Sequence, residues 1–330
     1  MNDPIVGIAG AGVTGQAVGR VLRNLGIRTA WFDPQAGAAV RASRRHGGVV
    51  LDAWSDLGVV DAVVLASPGP HCGVIAELVG TGVHVVSASD EHDDVVASLG
   101  LDDHAVASGS RVVVGAALSP GLTGLLARHL AGQLDVVDEV HVAMHGTGGP
   151  ACARQHHDAL GGLARGWHDG EWIERPGGSG RELCWFPDPI GPADCYRAAL
   201  ADPVVLHRLF PHAARVSARV SATRRDRLTA RLPMLAPPHP EGDRGAIRVE
   251  VRGALTGGAR ETLVAGAVGR TGDMAGALAA LCARACLDEQ VPVGVGVPGD
   301  DPDAGHLLLR EVLDAGVQLH EFTGVARVPR

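Results

Sequence analysis

The sequence predicts a two-part α/β chain: a doubly wound parallel sheet over residues 1–120, then an α+β part over 121–330 with a mainly antiparallel sheet. Three observations predict it. Short apolar runs alternate with helical spacings through the first part, as strands joined by crossover helices do. A glycine turn stands between the first strand and the first helix. Far along the chain, Ile247–Leu255 and Thr262–Val268 alternate on either side of Thr256-Gly257-Gly258, the pattern of an antiparallel hairpin.

The first strand is Ile5-Val6-Gly7-Ile8-Ala9. Gly10-Ala11-Gly12-Val13-Thr14-Gly15 follows at once, and Gln16–Leu25 then places Val18, Val21, Leu22 and Leu25 on one helical face. A G-x-G-x-x-G in this setting has a mechanical meaning. Gly10 makes the tight turn, Gly12 lets a pyrophosphate approach the backbone, and Gly15 lets helix and strand pack closely. The helix N-terminus adds free N–H groups and positive dipole, so Val13 and Thr14 join the three glycines as candidate phosphate contacts. This is the opening of a Rossmann dinucleotide-binding unit.

The second strand, Thr29–Phe32, ends at Asp33, about 20 residues after the turn, where a carboxylate accepts from the adenosine ribose hydroxyls. That carboxylate repels a 2′-phosphate and favours NAD over NADP. Arg41, Arg44 and Arg45 weaken the preference, because an arginine there could hold the phosphate. Asp61–Ala66 and Val83–Val86 are the next buried strands. The loops at their carboxyl ends, Ser67-Pro68-Gly69-Pro70-His71 and Ser87–Asp90, are expected near the nicotinamide half. That makes Ser67, Pro68, Ser87 and Ser89 candidate cofactor contacts. The acidic run Asp90–Asp94 reads as the first turn of a helix capped by Ser89, where carboxylates suit the dipole, in preference to a metal site.

These residues carry a resemblance. The glycine turn, the strand Gly82–Val86, the turn Ser119-Pro120-Gly121-Leu122-Thr123 and the small-residue helix Met274–Leu287 with Val293-Gly294-Val295 after it together resemble the saccharopine dehydrogenase-like (saccharopine reductase) oxidoreductases. The match spans the first 130 residues well and the last 60 loosely. It implies an NAD(P)-dependent enzyme working on an amino-acid-derived C–N bond, as a homodimer or homotetramer. It adds Pro120 to the cofactor contacts and brings residues 272–315 back against the first part. Several relatives use a lysine near the nicotinamide. This chain has no lysine, and all 29 of its basic residues are arginine. The simplest proton donor is therefore missing, and so are Schiff-base and phosphate-loop amines.

The middle of the chain offers the replacements. Val136–Met144 alternates as a half-buried strand and runs through His145-Gly146-Thr147-Gly148-Gly149 into a helical segment holding Cys152, Arg154, His156 and His157. Three readings stay open there: polar residues that merely solvate a helix, a substrate pocket, or a zinc site. In the second, Arg154 holds a carboxylate and His156 or His157 moves a proton; His145, at the head of the loop, is a further candidate for the proton. The third, through Cys152 with His156 or His157, lacks an evident third and fourth ligand, so no metal is expected. Leu183–Pro189 is too proline-rich for a central strand. Asp194 reads as the cap of a helix carrying Tyr196, a candidate proton donor, and Arg197, a candidate carboxylate clamp. Arg224, in the dense run Arg224-Arg225-Asp226-Arg227, is a third candidate for the anion. Pro237–Asp243 reads as a surface loop, and Cys282 and Cys286 as packing residues.

Composition sets the outer limits. A net charge of −8 argues against nucleic acid, and no apolar run approaches the roughly 18 residues of a membrane span. The start, Met1-Asn2-Asp3-Pro4, has no basic leader, and the six cysteines include no Cys-x-x-Cys pair, so a cytoplasmic protein with reduced thiols is expected. The expected function is an NAD(P)-dependent oxidoreductase acting on an amine or imine of a small carboxylated substrate. The same scaffold would serve a dehydrogenase of an alcohol or aldehyde, or a nucleotide-binding sensor without turnover.

Overall fold

The apolar run Ile5–Ala9 forms β1, and after a three-residue turn α1 (Val13–Asn24) begins; the computed structural model describes residues 3–35, 37–234 and 237–322. The alternation continues through β2 (Arg28–Phe32), α2 (Ala38–His46), β3 (Val49–Val50), β4 (Ala62–Leu65) and α3 (Cys72–Val79). Then come β5 (His84–Ser87), α4 (His92–Leu99), α5 (Asp102–Ser108) and β6 (Arg111–Val113). Val63, Val64, Val85 and Val86 are fully buried because helices cover both faces of this sheet, which is why the strands read as unbroken apolar runs. The strand order β3-β2-β1-β4-β5-β6, all parallel, reverses direction between β1 and β4. Ligands of such sheets bind at that reversal, outside the carboxyl ends of the strands.

The second part starts with α6 (Leu122–Ala131), β7 (Val136–His145), α7 (Pro150–Gly161), β8 (Leu163–His168), β9 (Glu171–Pro176), β10 (Glu182–Trp185) and β11 (Pro192–Tyr196). It continues with α8 (Asp202–Leu209), β12 (Arg215–Ser221), α9 (Arg224–Thr229), β13 (Arg244–Ala254) and β14 (Arg260–Arg270). Its sheet runs β10-β11-β12-β7-β13-β14, antiparallel except for the parallel pair β12–β7. The hairpin β13–β14 is in register along its whole length, from Arg244 opposite Arg270 to Ala254 opposite Arg260. Val140, Val142 and Met144 of β7 turn to the core, while Glu139, His141 and His145 turn the other way, as the period of two requires.

The last stretch returns to the first part. α10 (Thr271–Leu287) lies against α1, and small residues let the two backbones meet: a Cβ added at Gly276 would stand 2.5 Å from Ala17 Cβ and 2.9 Å from the Thr14 carbonyl. β15 (Gly294–Gly296) adds a seventh parallel strand beside β6. α11 (Pro302–Asp314), capped by Asp301, leads to β16 (Gln318–Glu321), which pairs with β14 in the second sheet. Both sheets therefore contain chain from far apart in the sequence.

Two local expectations are corrected. Asp194 does not cap a helix: Pro192–Tyr196 is a strand, with Cys195 and Tyr196 paired to Ser221 and Val220 of β12. A free strand edge outweighed a cap residue with little helical pattern behind it. Nor does Ser89 cap the acidic helix. α4 starts at His92 with Glu91 at the cap position, and Ser89 is buried on the preceding loop.

Candidate functional site at the domain cleft

The turn after β1 is shaped by contact. Gly10 has φ +106°, and a Cβ there would lie 2.6 Å from the Ser67 amide nitrogen; one at Gly15 would lie 1.8 Å from the Gly10 carbonyl oxygen. These two glycines are needed for the chain itself to close. Gly12 differs: it is exposed, and a Cβ there would meet nothing within 4 Å. No side chain caps the helix it begins, and no acidic residue stands in the first turn. Open space over free amides at a helix N-terminus fits a pyrophosphate. The side chain of Val13 faces the second part instead, pressed between Gly149 and Gly272, and Thr14 lies beside Gly148. At the end of β2 the Asp33 carboxylate accepts from the Ala11 amide at 2.7 Å and the Gln35 amide at 2.8 Å. A carboxylate has about four acceptor positions, so room for two ribose hydroxyls remains.

The rim beyond β4 and β5 is tied together by a residue absent from the expected site. His71 is buried; its Nδ1 lies 2.8 Å from Ser87 Oγ and its Nε2 3.1 Å from the Ser67 carbonyl. A carbonyl only accepts, so Nε2 carries the proton and Ser87 donates to Nδ1. Burial lowers the His71 pKa against the pull of Asp94, which suits that neutral form. Asp94 accepts the amides of His71 and Cys72, each at 2.8 Å, and so caps α3. Ser89 is buried, its amide 3.2 Å from Ser87 Oγ, while Pro68 is exposed on the same rim. Pro120 is buried, its ring 3.0 Å from a Cβ built on Gly115; it packs the turn that Asp202 pins. Ser119 Oγ donates to Asp202 Oδ2 at 2.6 Å and Thr123 Oγ1 donates to Oδ1 at 2.7 Å. Burial of Asp202 raises its pKa to about 6, although both hydroxyls hold it down.

α7 of the second part docks on this rim. Gln155 Nε2 donates to Glu91 Oε1 at 3.2 Å, and His156 Nε2 lies 3.2 Å from Asp90 Oδ2 and 3.7 Å from Cys152 Sγ. Burial alone lowers the His156 pKa, but the Cys152 sulfur and the Asp90 carboxylate outweigh it, and the imidazole stands well above its ordinary value. Next to the cluster lies a cavity of about 300 Å³ lined by His156, His157, Thr147, Ser221, Arg225 and Asp243, among others. Pro237, Pro238 and His239 also line it, so the segment expected to be a surface loop forms part of a wall. A larger cavity, about 590 Å³, lies along β15 and α11. Its polar groups already have partners there: Asp102 accepts from the Val295 amide at 2.7 Å and Arg208 Nε donates to Asp300 at 2.9 Å.

Of the other expected catalytic and substrate residues, His157 lines the 300 Å³ cavity and the rest do not. His157 Nε2 donates to the Leu232 carbonyl at 2.9 Å. His145 faces Ser221 Oγ at 2.9 Å and the Phe186 ring at 5.9 Å; burial lowers its pKa against Asp243. Tyr196 is buried beneath the Arg227 guanidinium, 4.2 Å from its ring centre, and does not line the 300 Å³ cavity. Arg197 lies over Gly180. Arg154 is exposed on α7, two residues from the buried His156, and two residues turn a helix by about 200°. Arg224 lines a separate surface hollow with Arg227 and Arg231, while its neighbour Arg225 lines the cavity. The structure thus gathers Asp90, Cys152, His156, His157 and Arg225; the substrate pocket read from sequence held only the two histidines, Cys152 entered only the zinc reading, and Asp90 and Arg225 were in neither.

The fold and cleft define a two-part chain with a dinucleotide-type sheet and a mixed sheet closing over it. No family model matches it, and no curated protein matches its sequence. Solved structures do. The apo, histidine-tagged saccharopine dehydrogenase (L-Glu forming) of Saccharomyces cerevisiae aligns with TM-score 0.75 at 15% identity, covering 97% of this chain and 100% of that one. A substituted meso-dapdh of Clostridium tetani, solved with DAP, gives 0.53 at 14%, covering 92% and 95%. GenD2 from gentamicin A biosynthesis, in complex with NAD, gives 0.50 at 15%, covering 98% and 97%. At such identities the likeness is one of fold, and the fold is the one the sequence resemblance implied. Among the described residues no helix is long and apolar enough to cross a membrane.

Proposed function

We propose that the chain is an NAD(P)-dependent oxidoreductase acting on a C–N bond, amine or imine, of a small carboxylated amino-acid-like substrate, with NAD favoured by Asp33. One observation carries this reading. The exposed, side-chain-free amides at Gly12 share a strand-end rim with the Asp90–His156–Cys152 cluster, beside a cavity that holds an arginine. The amides of Gly12, Val13 and Thr14 would hold the pyrophosphate and Asp33 the ribose, and the bound nicotinamide supplies or takes up hydride. Arg225 binds the substrate carboxylate bidentately. His156, fixed by Asp90, holds the proton exchanged with the substrate nitrogen, the task an ammonium would otherwise perform in this lysine-free chain. Gln155–Glu91 and the Ser119–Asp202–Thr123 pin keep α7 and the turn in place against the rim, and the enclosing second part excludes water.

The neighbours support the substrate class: by their names one forms L-Glu from saccharopine and another was solved with DAP. A homodimer or homotetramer, assembled through the second sheet, belongs to the same proposal. The test is oxidation of NADH across a panel of keto acids with ammonia or amino acids, and the reverse reaction with amino acids and NAD. Steady turnover of a carboxylated amine or imine is the expected result. Tight NADH binding with no turnover of any panel member would replace this reading with that of a nucleotide sensor.

A further inference from the structure

We propose that Asp90, Cys152 and His156 form a three-ligand site for one divalent cation of the zinc class, with the fourth position open to solvent. The three ligand atoms lie within 4.8 Å of one another. Cys152 Sγ is 3.7 Å from His156 Nε2, which is 3.2 Å from Asp90 Oδ2. Tetrahedral zinc, with bonds of about 2.3 Å to sulfur and about 2.0 Å to nitrogen and oxygen, has sulfur–nitrogen and nitrogen–oxygen edges of about 3.6 and about 3.3 Å. Two of the cluster's three edges therefore match those of a zinc tetrahedron, and the third, sulfur to oxygen, lies within 4.8 Å.

The donor set fits as well as the distances. Thiolate, imidazole and carboxylate suit a borderline-soft dication, and their joint charge of −2 balances that of the cation. Three protein ligands with one open position is the pattern of a catalytic zinc, whereas a structural zinc is closed by four. His156 is 6% exposed, while Cys152 and Asp90 are half-buried, so the site has a dry floor and an open side. His156 Nδ1 is buried with no hydrogen-bond partner among the described residues, which leaves Nε2 as the nitrogen offered. Glu91 and Asp94 add carboxylates to the same rim. Binding expels two protons to solvent, one from the Cys152 thiol as the sulfur–metal bond forms and one from the His156 imidazolium as Nε2 turns to the metal. With the cation bound, His156 Nε2 is a ligand, so the proton role proposed above belongs to the cation-free chain.

The position explains why sequence spacing did not reveal the third ligand. Asp90 lies more than sixty residues before Cys152 and reaches it only because α7 docks on the rim after β5. Use of the cation to polarise a substrate carbonyl or imine rests on the function proposed above; binding of the cation does not.

Cobalt(II), titrated into the metal-stripped full chain, tests the site. The expected result is one equivalent bound with a sulfur-to-cobalt charge-transfer band, competed away by zinc. Cys152→Ser should abolish the band, His156→Ala and Asp90→Asn should weaken binding by about 100-fold or more, and Cys72→Ser should leave band and stoichiometry unchanged. If Cys152→Ser does not fold, alkylation of the native chain decides: bound zinc should protect Cys152 while Cys72 is modified. No thiolate band in the native chain, a band that survives Cys152→Ser, or equal alkylation of Cys152 with and without zinc overturns the proposal. NADH binding, measured in parallel, separates the two readings. Metal binding without NADH binding sinks the oxidoreductase alone, and the converse sinks the metal site alone.

Discussion

Replacing Asp202 with Asn tests whether a buried carboxylate is held at the base of the cleft against its own ionisation. The carboxyl is fully buried and accepts from Ser119 and Thr123, yet burial raises its pKa to about 6. The unfolded chain has an Asp pKa of about 3.9, so the folded state binds the proton more tightly. Stability from this group is then greatest below about pH 4 and is lost as pH rises to about 6; the two-unit difference is worth about 3 kcal/mol. Asn cannot ionise. The stability of Asp202→Asn relative to wild type should therefore rise by about 2 kcal/mol between pH 4 and pH 7, whatever constant offset comes from the lost acceptor oxygen. Urea denaturation of both proteins across that range measures it, with all other titrations cancelling in the difference. A difference that stays flat, or moves in the wild type's favour as pH rises, would show that the two hydroxyls outweigh desolvation and would refute the reasoning.

Three further outcomes are expected. Gly12→Ala should leave the urea midpoint unchanged while weakening NADH binding tenfold or more, because its Cβ enters only the open cradle; Gly15→Ala, 1.8 Å from the Gly10 carbonyl, should cost about 3 kcal/mol or more of stability. Asp33→Ser should lower the ratio of NAD to NADP affinity, read by fluorescence titration of the reduced forms, and an unchanged ratio would remove Asp33 from cofactor choice. Arg225→Met should raise the substrate KM at least tenfold with NADH affinity intact, whereas Arg154→Met should alter neither; the reverse pattern would return the carboxylate to α7.

How much was legible follows from what each feature depends on. The turn Gly10–Gly15, the strand before it and the helix after it were readable because each is set within a few residues by glycine freedom and apolar spacing. The hairpin around Thr256-Gly257-Gly258 was readable for the same reason, since its turn and its alternation lie together in the chain. Asp194 misled because a cap residue is a weak signal next to a strand edge waiting for a partner. Arg154, Arg224 and Arg225 are chemically equal in the sequence, and only the direction of α7 and α9 puts one in the cavity and two outside it.

By itself, then, the sequence determined the doubly wound half of this protein and, by having no lysine, the chemistry its side chains must do without. The tertiary structure alone decided the rest: Asp90 beside Cys152 and His156, Asp202 pinning a turn some eighty residues before it, and β15 completing the first sheet after the second is nearly built. Local backbone preferences act over a handful of residues and leave a pattern in the chain. Convergence of distant side chains depends on how packed layers meet, and that leaves no pattern until the chain has folded.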